Sequence, residues 1–177
     1  MRLHRRALLG AAVAPVIAPL TGCGFRPVYM PSAGGAPGVA TRELGKIYVS
    51  IIPDRPGQLL RQALQQRLEG AGGAATPLYT LNVAYWISGE GIAIQPDAAT
   101  TRIRLFGNAN WVLVGRDPAK THVTDGYSRA EDALNVINEQ YFAADLQTDA
   151  AYRYLAQALA DQITTRLAIF FRGKASG

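Results

Sequence analysis

Apolar and polar positions follow two different periods along the chain. KIYVSII, residues 46 to 52, is a β-branched run that Pro53 stops, which predicts a short strand. Asp54 and Pro56 then open a helix, Asp54 as cap and Pro56 in the first turn. Within QLLRQALQQRLEG, Leu59, Leu60, Ala63, Leu64 and Leu68 share one face, and Gln58, Arg61, Gln62, Gln65 and Glu69 share the other. That is an amphipathic helix, ended by Gly70, Gly72 and Gly73. Residues 78 to 88 alternate with a period of two, placing Tyr79, Leu81, Val83, Tyr85 and Ile87 on one face of a strand. Residues 100 to 114 alternate as well. Ile103, Leu105, Ala109, Trp111 and Leu113 fall on one side, and Arg102, Arg104, Asn108 and Asn110 on the other. GEGIAIQPDAA connects these two strands. THVTDGYSR, residues 121 to 129, predicts a further strand, while EDALNVINEQYFA fits neither period and leaves room for a short turn of helix. A last helix starts near Asp145 or Thr148, with Ala151, Leu155, Ala158, Leu159, Ile163, Leu167 and Phe170 as its apolar stripe. Asp149 early and Arg166 and Arg172 late suit its dipole.

The order β-α-β-β-β-α predicts an α+β fold: two helices on one face of a mainly antiparallel sheet of about four strands. A single domain over residues 46–172, with a short tail at 173–177, accommodates all of these elements.

The N-terminal part has a different pattern. MRLHRR carries three arginines and no acid, and ALLGAAVAPVIAPL is almost wholly apolar. A basic head followed by a short apolar middle has the layout of a secretory signal peptide over residues 1–22. The apolar part, Ala7 to Leu20, is shorter than the roughly 20 residues a membrane span needs, and Pro15 and Pro19 interrupt it. Arg5-Arg6 reads as a plain basic head rather than a twin-arginine export signal. The segment ends Leu20-Thr21-Gly22-Cys23, which resembles the bacterial lipobox, and Cys23 is the sole cysteine. Intramolecular disulfides are thereby excluded, and Cys23 is the expected lipidation site. Each buried CH₂ of an acyl chain contributes about 0.8 kcal/mol, so the several chains of a bacterial lipoprotein anchor firmly. Gly24, where an Asp would signal inner-membrane retention in enteric bacteria, favours the outer membrane. Residues 30 to 45, MPSAGGAPGVATRELG, complete a lipidated N-terminus and flexible tether over 23–45.

Removing the leader changes the charge balance. The whole chain has 18 basic and 13 acidic residues; without Arg2, Arg5 and Arg6, 15 face 13, a net of +2. The isoelectric point near 9.6 is therefore largely a property of the leader, and it does not indicate nucleic acid, which requires a clustered basic face. Taking 22 residues from 177 leaves 155, of ordinary single-domain size. The chemistry of an enzyme is sparse. His122 is the one histidine beyond the leader, and H-E-x-x-H, C-x-x-C, G-x-S-x-G and the P-loop are all missing from the sequence. A tethered binding or assembly protein fits better than a catalyst, and no catalytic residue, metal or cofactor is expected.

Four segments carry a family resemblance: Cys-Gly-Phe-Arg-Pro-Val-Tyr at 23 to 29, RPGQLLRQAL, the run Gly91-Ile92, Asp97 and Thr101-Arg102 leading into an alternating strand, and YFAADLQTDAAYRYLAQALADQITTRL. Together they resemble the lipopolysaccharide-assembly lipoprotein (LptE) family. The resemblance implies a non-enzymatic outer-membrane lipoprotein, facing the periplasm, that plugs and helps assemble a large β-barrel, LptD. With that barrel it assists insertion of lipopolysaccharide into the outer leaflet. Arg102 and Arg104 are the lipopolysaccharide-binding candidates: residues two apart on a strand share a face, and guanidinium groups match phosphate geometry. Solubility of the strand face, or pairing with acids of the barrel, is the competing role for both. Trp111, Trp86, Tyr85 and Phe106 are expected in the core or against the barrel. Two other functions compete: an auxiliary lipoprotein of an intermembrane lipid-transport ABC system, and a lipid-anchored periplasmic hydrolase.

Overall fold

The computed structural model describes residues 29, 31, 35–69, 76–94, 100–135 and 141–176. The elements in chain order are α1 (Val39–Leu44), β1 (Ile47–Val49), α2 (Asp54–Glu69), β2 (Tyr79–Ile94), β3 (Thr100–Gly115), β4 (His122–Asn135) and α3 (Tyr141–Ser176). The strands form one sheet in the order β1-β2-β3-β4. β1 pairs with β2 in parallel, which requires a crossover, and α2 supplies it. The β2–β3 and β3–β4 pairs are antiparallel. The α+β class and the mainly antiparallel four-stranded sheet are as expected.

The predicted faces also hold. Leu81 and Val83 of β2 and Leu105, Ala109, Trp111 and Leu113 of β3 are buried under the helices. Leu60, Ala63, Leu64 and Leu68 of α2 meet them. On α3 an unbroken every-fourth-residue ridge, Ala151, Leu155, Leu159, Ile163, Leu167 and Phe171, is buried. Ala156, Ala160, Thr164 and Ala168 form a second ridge. Phe171 therefore takes the core place expected of Phe170, which is only partly buried, as is Ala158. Two ridges are needed because α3 packs on the sheet, on α1 and on α2 together. Arg67 of α2 joins Asp161 of α3 through two hydrogen bonds, Nε at 2.5 Å and Nη2 at 2.9 Å.

Close approaches fix two glycines. A Cβ at Gly57 would lie 2.7 Å from Ile52 Cγ2 and 3.0 Å from Ile52 O, so only glycine lets the first turn of α2 fold back on that segment. Gly126 pairs with Trp111 across the ladder, and a Cβ there would lie 2.4 Å from the indole. The indole fills that space and donates from Nε1 to the buried Ser128 Oγ at 3.2 Å.

Four boundaries differ from the sequence expectation. β2 runs on to Ile94, taking in the first six residues of the expected connection, because β3 supplies partners along it back to Thr100. Residues 39–44, expected within the tether, form α1, and Ala40 and Leu44 bury against α3. Six residues are too few to show a period, so packing rather than pattern makes this helix. β4 runs on to Asn135, taking in the first five residues of the segment that fitted neither period, because β3 supplies partners as far as Arg102. α3 starts at Tyr141 and continues through Gly173 to Ser176, taking in most of the expected tail. The leader (1–22), Cys23, the helix-ending Gly70, Gly72 and Gly73, and residues 95–99 of the expected connection lie outside the described residues. Among the described residues, no helix is long and apolar enough to cross a membrane.

Candidate functional surface

Both helices that cover the sheet lie on one side, and among the described residues the other side is open. Even-numbered residues of β2 and β3 face it, as do odd-numbered residues along most of β4, by the registers Trp86↔Asn108 and Asn108↔Arg129. β3 contributes Arg102, Arg104, Phe106, Asn108, Asn110 and Val112. Trp86 of β2 is 46% exposed and Tyr127 of β4 is 43% exposed, unusual fractions for large aromatic rings.

The centre of this face is ordered by its own contacts. Asn108 is only 6% exposed although no helix among the described residues lies above it. The Tyr127 hydroxyl donates to Asn108 Oδ1 at 2.7 Å. The Asn108 amide donates to Phe106 O at 3.1 Å and lies 3.4 Å from Ser88 Oγ. Arg129 stacks over the Phe106 ring, its guanidinium carbon 4.1 Å from the centroid. That contact holds a cation flat against the sheet while leaving its outer donors free.

Arg102 and Arg104 share one face of the sheet. Both are exposed on the open face, two residues apart, at the end of β3 nearest the β2–β3 connection. Arg104 stands opposite Glu90, and Glu131 stands opposite Phe106, so carboxylates interleave with the cations. Arg129 is the functional candidate that sequence alone missed. The signal was present in the alternation Asp125, Tyr127, Arg129, Glu131, which places all four on one face of β4. Of the aromatics expected in the core or against a partner, Trp111 is in the core, Tyr85 is half-buried beside it, and Trp86 and Phe106 lie on the open face.

The Tyr85 hydroxyl is buried with no hydrogen-bond partner among the described residues, and burial, with a smaller contribution from Tyr152, pushes its pKa up to about 12. His122 pairs with Asp125 at 2.9 Å, both exposed. Among the described residues no three His, Cys, Asp or Glu side chains gather as metal ligands would. What this surface offers is binding: flat aromatic area, stacked or free guanidinium groups, and amide and hydroxyl donors.

The outer edges of the sheet are treated unequally. Arg166 Nη1 of α3 donates to Tyr127 O, and Gln162 Nε2 donates to Arg129 O at 3.0 Å. Side chains of α3 thus occupy edge carbonyls of β4 that would otherwise pair with another strand. β1 covers β2 only across Tyr79 to Leu81, and the Ser50 amide adds one further bond to Leu81 O.

A family profile described as LptE, lipopolysaccharide-assembly, matches residues 44–167. No curated protein sequence matches. Solved structures share the fold. A lipoprotein from Caulobacter crescentus is 20% identical, with 76% of this chain and 96% of that chain covered and a TM-score of 0.61. The rare lipoprotein B from Shewanella oneidensis is 11% identical, with 70% and 92% covered and a TM-score of 0.51. A minor lipoprotein from Acinetobacter baumannii is 15% identical, with 70% and 91% covered and a TM-score of 0.51.

Proposed function

The chain belongs to the LptE lipopolysaccharide-assembly family, and we propose that it is an outer-membrane lipoprotein, anchored through Cys23, that occupies the lumen of an LptD β-barrel and assists delivery of lipopolysaccharide to the outer leaflet. The family match over 44–167 carries this reading. The lipobox-like Leu20-Thr21-Gly22-Cys23 supports the anchor. The surface is compatible with the role. A large barrel has a polar lumen, and the open face presents polar and aromatic side chains together rather than a purely apolar sheet.

In this reading the protein performs no covalent step. Its rigid α+β body fills the lumen and gives the barrel a template to close around. Arg102 and Arg104 donate to lipid A phosphates, with bidentate geometry as the source of preference for phosphate over other anions. Arg129, already flattened on Phe106, extends the same donor row. The decisive experiment is capture of the tagged full chain from detergent-solubilised outer membranes. Recovery of a large β-barrel is the expected result. Recovery of an ABC transporter or of a lipid-shuttle protein, with no barrel, would refute the proposal. Metabolic labelling with a fatty acid tests the anchor separately: wild type takes the label, and Cys23→Ala does not.

A further inference from the structure

A second pair of cations sits at the far end of the open face from Arg102 and Arg104. β3 ends at Gly115, and the turn into β4 carries Arg116 and Lys120. With a rise of about 3.3 Å per residue, Arg116 lies roughly 40 Å from Arg104 along the strand direction. Between this turn and β1 is a groove of about 330 Å³, whose lining includes Tyr48, Thr80, Asn82, Arg116 and Lys120. The Arg116 guanidinium carbon lies 5.5 Å from the Tyr48 ring centroid, so an aromatic face supports the cation from one side.

The turn is built to hold these side chains in place. Gly115 N donates to Thr121 O at 2.8 Å, Arg116 N to Leu78 O at 2.9 Å, and Lys120 N to Asp117 O at 2.9 Å. Lys120 adopts φ 48°, a left-handed conformation that Gly or Asn accepts at lower cost. A lysine at that position places an ammonium on the groove where a turn alone would need no side chain. Asp117 lines the groove as well, but the turn rather than either cation engages it. Its carboxylate accepts from Thr121 Oγ1 at 2.8 Å and from Thr121 N at 3.2 and 3.3 Å. Those bonds hold Asp117 below the usual carboxylate range, and neither Arg116 nor Lys120 has a carboxylate within ion-pair distance among the described residues. Asn82 Oδ1 accepts from the Ser50 hydroxyl at 2.9 Å, which leaves the Asn82 amide N–H groups as donors.

We propose that this groove binds a phosphate group, with Arg116 as the bidentate donor, Lys120 as the second cation, and Thr80 and Asn82 completing the shell. Tyr48 holds the guanidinium plane in advance, so little side-chain freedom is lost on binding. The phosphate is free in solution or borne on a glycerophospholipid headgroup. This site does not depend on the lipopolysaccharide reading, since it shares no residue with the Arg102–Arg104 end.

The test is NMR titration of the full chain in zwitterionic detergent, following the Arg116 Nε–H signal and the Lys120 and Thr121 amides. The probes are inorganic phosphate, glycerol 3-phosphate and dihexanoyl phosphatidic acid, with chloride and acetate at matched ionic strength as controls. Saturable shifts with phosphate, and none with chloride, are expected. R116Q/K120Q should lose about tenfold or more in affinity, the size of one charge-assisted hydrogen bond. K120Q alone leaves the Arg116–Tyr48 contact and the Asp117 turn intact and should lose several-fold. R102E/R104E should bind phosphate at this groove as wild type does. Tighter binding of the phosphatidic acid than of free phosphate assigns the lipid source, and equal binding assigns the free ion. The proposal is overturned by shifts that do not saturate, by acetate binding as tightly as phosphate, or by K120Q and R116Q/K120Q both binding unchanged.

Discussion

One sheet presents two faces made from the same three long strands, and they obey different rules. On the covered face, Leu81, Leu113, Leu155, Leu159, Ile163 and Leu167 are wholly buried, and apolar volume decides the outcome. On the open face, order comes from a few directional contacts: Tyr127 to Asn108, Asn108 to Phe106, Arg129 over Phe106 and Arg116 over Tyr48. The first arrangement stabilises by removing area from water, at about 25 cal/mol per Å². The second leaves donors and rings available to something else. Substitutions on the covered face should therefore change stability, and those on the open face should change binding.

The largest effect is expected at Leu159, which is 0% exposed on the central ridge of α3. Leu159→Asp buries an unpaired charge and should destabilise by about 4 kcal/mol or more, enough to unfold a marginal domain. Thermal melting of the purified chain measures this, and an unchanged midpoint would show that the ridge does not support the fold.

A matched pair sharpens the contrast. Ser128→Ala leaves the buried Trp111 Nε1–H without its acceptor and should cost about 1–3 kcal/mol. Asn108→Ala removes the acceptor of the Tyr127 hydroxyl on the open face, but Tyr127 is exposed and water replaces the lost partner, so the cost should be about 1 kcal/mol. Denaturant unfolding of both variants ranks them, and a larger loss for Asn108→Ala would reverse the distinction between the faces.

Tyr85 makes the covered face sensitive to alkali. Its folded-state pKa of about 12 lies above the ordinary tyrosine value of about 10. The neutral form is thus favoured by folding. The corresponding stability is complete below pH 10 and is lost as pH rises through 12. Because the residue is only half-buried, solvent screening reduces the loss to about 1–2 kcal/mol. Tyr85→Phe removes an unpaired buried hydroxyl and should be neutral or stabilising at pH 7. It should also flatten the decline between pH 10 and 12, as melting curves across that range will show.

The smallest stability effect belongs to Arg102→Glu/Arg104→Glu. Both arginines are exposed, so the melting midpoint should shift by about 0.5 kcal/mol or less. Lipopolysaccharide binding by the folded variant should fall sharply, and wild-type binding should weaken with salt because exposed charges are screened beyond roughly 8 Å. A folded variant that binds as wild type does would return these arginines to a solubility role.

Local chemistry in the sequence determined the elements and their faces. Alternation set Leu81, Leu105, Trp111 and Leu113 against Arg102, Arg104, Asn108 and Asn110, and every-fourth-residue spacing set the ridge of α3. A side chain's direction is fixed by its own residue's place in a strand or helix, so periodicity is enough to read it. Tertiary structure alone decided the rest. α1 exists because Ala40 and Leu44 find α3, more than a hundred positions away in the chain. Arg67 meets Asp161 across a separation of 94 residues. Asn108 is buried on an uncovered face because Tyr127, 19 residues later, bends over it. Arg116 and Lys120 share a groove with Tyr48 only because the crossover through α2 lays β1 beside β2. These contacts depend on which surfaces the whole chain brings together, and no window of sequence contains both partners.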